Sequence, residues 1–172
     1  GRLVYCRPFG YGEAIDVEAL VNQPADSFDP GLGQAVRRDS LFRLGSTSKL
    51  FVGLALALCK DRGLVDYETS VSTYLEALRE AEAGKLTLKQ LFTHTGNLAP
   101  LHKAGLRERD EEVTEATMAD IVEGAANLSI DPSKVGQYAY SNTGIILLAE
   151  VVSRVQDLSY EDFVQKEILE PL

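Results

Sequence analysis

Tryptophan is absent from this 172-residue chain, methionine occurs once, and cysteine and histidine occur twice each. The two cysteines, Cys6 and Cys59, are too few for a disulfide framework or a cysteine-built zinc site. Cys59 lies within an apolar stretch and reads as a small buried hydrophobe. Basic residues are in deficit: 17 Lys and Arg face 26 Asp and Glu, a net charge of −9 and a pI near 4.7. Such a surface repels phosphate backbones, and no basic run offsets it, so nucleic acid is excluded as the expected partner. The densest charge cluster, Arg107-Glu108-Arg109-Asp110-Glu111-Glu112, is mixed in sign and reads as a solvated loop. The longest apolar run, Leu50 to Cys59, has ten residues, too few for a bilayer span. The opening Gly-Arg-Leu-Val-Tyr is not a basic-then-apolar leader. There are no internal repeats and no low-complexity tracts.

What is there suits a globular chain. Apolar residues make up 45% and charged residues 25%, enough to build a core and to rule out disordered or collagen-like classes. Residues 2–11 hold β-formers interrupted by Pro8 and end at Gly10 and Gly12, predicting a strand and a turn. Residues 22–40, with Pro24, Pro30, Gly31 and Gly33, read as a long loop. Gly31-Leu-Gly33 lacks the third glycine and preceding strand of a dinucleotide-binding turn. After Leu41-Phe42-Arg43-Leu44, a helix is predicted from Ser46 to Arg62, with Gly63 beyond its end. It is apolar nearly all round from Leu50 to Leu58, which predicts a central buried helix. Thr87-x-x-Gln90 and Thr117-x-x-Asp120 have capping-box spacing. Thr143 to Val155 reads as a second apolar helix. Ser159-x-x-Asp162 opens a third, with Tyr160, Phe163, Val164 and Ile168 on one face. The expected class is α+β: mostly helical, with N-terminal strand material from an antiparallel sheet that this chain leaves incomplete. The expected division is residues 1–65 for the strands and first helix, and 66–172 for the helical remainder.

Two clusters could carry chemistry. In Ser46-Thr47-Ser48-Lys49, positions i and i+3 of a helix share a face, so the hydroxyl and the amine come within reach. A serine hydroxyl is a weak nucleophile until a base takes its proton, and a lysine serves if burial lowers its pKa. A serine in the first helical turn also aims a backbone N–H where an oxyanion would form. Eleven Ser and seven Lys give about 0.45 such spacings by chance, so the spacing alone decides nothing. In Tyr140-Ser141-Asn142, a phenolate near a cationic lysine can act as general base and an asparagine amide can orient substrate. The bland alternative is a packed Tyr140 and a helix-capping Asn142. His94 and His102 invite a Ser-His-Asp reading, but Ser46 lacks the G-x-S-x-G elbow. His94 reads as a structural, hydrogen-bonding histidine.

Context decides between these. Leu41 to Lys49, followed by an apolar helix and Arg62-Gly63-Leu64-Val65-Asp66, resembles the first active-site element of the serine β-lactamase and penicillin-binding protein family. The likeness is to the branch of class C β-lactamases, D-alanyl-D-alanine carboxypeptidases and esterases. Val71-Ser72-Thr73-Tyr74-Leu75 and then Leu86 to Thr95 are similar to that branch's next two segments, in the same order. Tyr140-Ser141-Asn142-Thr143-Gly144 resembles its Tyr-x-Asn element, and Ile168-Leu169-Glu170-Pro171-Leu172 the end of the following helix. The resemblance implies Ser46 as acyl-accepting nucleophile, Lys49 as its proton partner and Tyr140 as the base shared with Lys49. It implies Asn142 in contact with substrate amide or with Lys49. No metal or cofactor is implied. The implied substrate is a small ester, β-lactam or peptide, attacked through a Ser46 acyl-enzyme, with esterase or carboxypeptidase chemistry preferred over a dedicated β-lactamase. The rival is a non-catalytic member or fragment that binds a ligand or partner.

Three positions depart from the family pattern. The usual His-Thr-Ser-Gly is His94-Thr95-Gly96-Asn97, Val135 replaces a proline before Gly136, and Asp157 stands where a glycine precedes the last helix. All are turn positions and bear on loop geometry more than chemistry. The third family element, a Lys-Thr-Gly or His-x-Gly strand, has no match after Asn142. The expectation is therefore that this stretch alone does not turn over, and that a complementing C-terminal segment completes the pocket. Lys49 is expected to lie buried beneath that pocket.

Overall fold

The computed structural model describes residues 44–100 and 117–172. The predicted strand at 2–11, the loop at 22–40, Cys6, His102 and the charged cluster at 107–112 lie outside the described residues. All described residues but Leu44 and Gly45 belong to one compact unit, Ser46–Leu172.

All the α-helices but the first begin where a side chain satisfies a free amide. A 3-10 turn at Gly45–Ser48 leads directly into α1, Lys49–Asp61. Helix α1 stops as predicted. Gly63, at φ +72°, turns left-handed, its N–H bonds the Lys60 carbonyl (2.9 Å), and the Leu64 N–H returns to Cys59 (2.9 Å). That pair of bonds is a Schellman closure. Helix α2, Leu88–Phe92, and helix α3, Met118–Ala126, both start from the expected capping boxes. The Gln90 amide donates to Thr87 Oγ1 at 3.1 Å while the Thr87 amide donates to Gln90 Oε1 at 2.9 Å. Thr117 and Asp120 repeat the exchange at 3.3 and 2.7 Å. Helix α4, Asn142–Gln156, is capped by Ser141. Helix α5, Tyr160–Val164, is capped by Ser159 and runs on as a π-helical turn, Gln165–Leu169.

The core is assembled on α4. Leu147, Leu148, Val151 and Val152 are wholly enclosed, and α1, α2, α3 and α5 all pack against this helix. The predicted face of α5 is the one buried: Phe163 and Ile168 are inside, with Tyr160 and Val164 packed on the core's edge. The expectation that α1 is buried on all sides is not met. Val52, Ala55, Leu56 and Cys59 turn inward at the i, i+3, i+4, i+7 spacing of one stripe, whereas Leu50 and Leu54 are 65% and 52% exposed. The centre belongs to α4, the longer of the two apolar helices, with neighbours on several sides.

Among the described residues there is no strand; the one extended pairing is an isolated antiparallel bridge between Ser70 and Thr87. Nor is any helix among them long and apolar enough to cross a membrane.

The departures at turns have local causes. Asn97 (φ +50°) and Asp157 (φ +51°) both sit in the left-handed region, where glycine is at ease and where Asn and Asp are the side chains best tolerated. Gly96 is a glycine for another reason: a Cβ there would meet Leu86 Cδ1 at 2.7 Å. Asp157 closes α4 as Gly63 closes α1, with the Leu158 N–H returning to the Ser153 carbonyl at 3.3 Å. Replacing Asp157 therefore separates backbone strain from side-chain contact. Asp157→Gly should hold or raise stability in chemical denaturation, whereas Asp157→Val should lower it by about 1–2 kcal/mol, the strain of an ordinary side chain in that region. Equal stability of the two variants would contradict the assignment.

Candidate active site

Gly45 sets the geometry of the first cluster. Its φ of +54° is a turn that only glycine makes without strain, and it delivers Ser46 into the 3-10 turn at Gly45–Ser48. In 3-10 geometry residues i and i+3 eclipse rather than merely share a face. Ser46 lies in that turn and Lys49 follows it directly, and Lys49 Nζ lies 3.2 Å from Ser46 Oγ. The regular α-helix begins only at Lys49, three residues later than the predicted start at Ser46.

The second cluster meets the first at that point. Tyr140 ends the segment leading into α4, and its Oη lies 2.7 Å from Ser46 Oγ, across 94 residues of sequence. Lys49 Nζ is also 5.1 Å from the centre of the Tyr140 ring. An ammonium only donates, so Ser46 Oγ accepts from Lys49. In the Ser46–Tyr140 contact either oxygen can be the donor. Hydrogen bonding with Lys49 first, and with Ser46 second, holds the Tyr140 pKa below the ordinary tyrosine range. The ring is half exposed, at 49%, so Tyr140 is not the packed aromatic of the bland alternative.

Two expectations need correcting. Lys49 is half-buried, not buried, and Ser46 is exposed. The 3-10 turn stands at the surface, and the neighbouring residues Leu44 and Leu50 are exposed too. The helix cap is Ser141 rather than Asn142: Ser141 Oγ accepts from the Gly144 amide at 3.4 Å. Asn142 is the first residue of α4 and half-buried.

Sequence spacing gave no hint of the neighbour on the other side of Tyr140. His94 lies 47 residues before Ser141, whose amide donates to His94 Nδ1 at 3.3 Å. The imidazole lies against the Tyr140 ring, centroids 4.7 Å apart and planes tilted 39°. The expectation that His94 is a structural, hydrogen-bonding residue is met, and its bonds are made beside the candidate base.

Comparison with known proteins assigns the family. The Beta-lactamase family model matches residues 1–172. Penicillin-binding protein 4* of Bacillus subtilis (strain 168) is 27% identical over 175 residues, covering 99% of this chain and 34% of its own length. Teichoic acid D-alanine hydrolase of Staphylococcus aureus is 25% identical over 134 residues, covering 78% of this chain and 31% of its own. Among solved structures, a class C beta lactamase from Rhodobacter sphaeroides is 35% identical with a TM-score of 0.64, over 80% of this chain and 36% of that one. The chain thus spans about a third of the length of the curated relatives it matches, and the described helices have the β-lactamase/transpeptidase-like fold. It belongs to the Beta-lactamase family.

Proposed function

We propose that this protein is a serine-dependent acyl-transfer hydrolase that works through an acyl-enzyme on Ser46. The observation that carries the reading is the three-atom contact: Tyr140 Oη at 2.7 Å and Lys49 Nζ at 3.2 Å from one serine oxygen. Tyr140, ionised under the influence of Lys49, takes the Ser46 proton as Oγ bonds to the carbonyl carbon of the substrate. The tetrahedral adduct collapses, the bond to the leaving group breaks, and that group carries away the proton from Tyr140. Water then adds to the acyl-enzyme with Tyr140 again accepting a proton, and Tyr140 returns that proton to Ser46 Oγ as the bond to the acyl carbon breaks and the acid departs. The Ser46 backbone N–H, ahead of α1, is suited to donate to the oxyanion. Asn142 is assigned to the substrate amide.

The substrate class is an ester or amide of small size. Relatives are named for penicillin binding, for β-lactams and for teichoic acid D-alanine hydrolysis, and the ligands so named all carry an acyl carbonyl in different surroundings. Esterase or carboxypeptidase chemistry is favoured over dedicated β-lactam hydrolysis, because a pocket adapted to expel a penicilloyl group rapidly is a further specialisation that these residues do not require.

Two outcomes test the reading on the whole protein. With a fluorescent penicillin or an activated ester, mass spectrometry should find the adduct on the peptide containing Ser46, and Ser46→Ala should abolish it. Lys49→Ala and Tyr140→Phe should slow adduct formation by about 10²-fold or more, the usual range for a lost general base. An adduct persisting in Ser46→Ala would remove the nucleophile from this position.

The second outcome concerns pH. The active form has Tyr140 ionised, so the acylation rate should rise as pH increases through its depressed pKa. Lys49→Met removes the main cause of that depression, so the same limb should move upward, toward the ordinary tyrosine value of about 10. A limb that stays in place would show that a different group titrates.

A further inference from the structure

We propose that His94 is the positioning residue for Tyr140: its neutral imidazole, accepting the Ser141 amide at Nδ1 and lying against the phenol ring, holds Tyr140 Oη on Ser46. The proposal rests on the reading of Tyr140 as the base. The segment that carries Tyr140 is tied to His94 and Thr95 at three points. The Gly136 amide donates to the Thr95 carbonyl and the Ala139 amide to the His94 carbonyl, both at 2.7 Å. The Ser141 amide donates to His94 Nδ1 at 3.3 Å. The backbone of His94 is left-handed, at φ +58°, a conformation histidine adopts more readily than most side chains. In it the carbonyl and the ring of one residue both serve the same short segment. The ring is further flanked edge-on by Tyr138, with centroids 5.9 Å apart and planes at 88°. Tyr140 itself is half exposed, and apart from Ser46, Lys49 and His94 no described side chain is recorded in bonding or ring contact with it. Removing the imidazole thus removes the one aromatic ring that lies against the phenol among the described residues, while the two backbone ties remain.

The clasp has a defined protonation state. Nδ1 accepts only if it carries no proton, so the imidazole must be neutral with its hydrogen on Nε2. Among the described residues, the ionisable groups that face it are Lys49 from α1 and the phenols of Tyr138 and Tyr140. Burial first, and the Lys49 ammonium second, hold the His94 pKa below the ordinary histidine range. The clasp is therefore closed at neutral pH and opens as pH falls through that lowered value.

The experiment uses the whole protein labelled with [ζ-13C]tyrosine and, separately, with 15N-histidine. The Tyr140 signal is assigned by its loss in Tyr140→Phe. In the wild type, His94 should show the Nε2–H neutral tautomer at neutral pH. His94→Ala, folded as judged by circular dichroism, should move the Tyr140 titration upward as the phenol drifts from Lys49. It should also slow Ser46 acylation about 10- to 100-fold, the scale of a misplaced catalytic group. His94→Asn keeps a short acceptor and tolerates the left-handed backbone, so it should recover most of both losses. Should His94→Ala fail to fold, His94→Asn and the wild-type tautomer carry the test. An Nδ1–H tautomer would overturn the proposal. So would a Tyr140 titration and acylation rate left unmoved in a folded His94→Ala protein. If no probe acylates the wild type, the hydrolase reading fails instead, and the Tyr140 titration still judges the clasp.

Discussion

Everything at the candidate site depends on one short contact between distant parts of the chain, Tyr140 Oη on Ser46 Oγ. The Ser46–Lys49 pair is local and needs only Gly45 and one turn of 3-10 helix. Bringing a phenol from 94 residues away to within 2.7 Å of it is a tertiary problem. It is solved by packing: α1 and α4 bury their inner faces against each other, and the residues just ahead of each helix then meet. Side chains such as Leu147, Leu148, Val151 and Val152 never touch the chemistry, yet they fix where α4 begins. Interiors are packed closely enough that a shift of such a helix is resisted at the site as well as in the core.

The helix starts matter for the same reason. Ser141 caps α4, and its backbone amide is bonded to His94. Thr87 and Gln90 open α2, the short helix that ends just before His94. Capping is usually counted as about 1 kcal/mol of local stability. Here the caps also decide which residue leaves a helix and in what direction. A helix that began one residue later would turn the side chain ahead of it by about 100°. That would carry Tyr140 away from Ser46.

Much of this was legible in the sequence, and the parts that were not share a cause. Capping boxes, the glycine stop of α1 and the inward face of α5 are local patterns, and each was found where spacing put it. Ser46, Lys49 and Tyr140 could be named from motif order, and the structure brings these three together. The burial of Lys49 and of the outer face of α1 was misjudged. Apolar composition says that a surface can be buried, but it does not say that a neighbour covers it, as Leu50 and Leu54 show. The role of Ser141 as cap was hidden because Ser and Asn cap equally well and stand side by side. The approach of His94 to Tyr140 had no sequence signal, since it arises from a left-handed residue after α2 meeting the entry to α4. The departures at Asn97 and Asp157 looked like disturbed turns, but both residues sit in the left-handed backbone that they tolerate best after glycine.

Lys49 links the proton relay to its support. One ammonium lies near two aromatic rings and acts on both in the same direction, disfavouring an added proton on His94 and favouring loss of one from Tyr140. For Tyr140 the deprotonated form is the one that the proposed base role requires. For His94 it is the one that can accept from Ser141. A single positive charge thus favours the state that each proposed role requires, in the base and in its positioning residue alike. The arrangement also explains why half-burial of Lys49 is sufficient. Its charge has to reach two neighbours across a few ångströms, where water weakens an interaction without abolishing it. Full burial would strengthen the pull on the phenol but would disfavour the charge that exerts it.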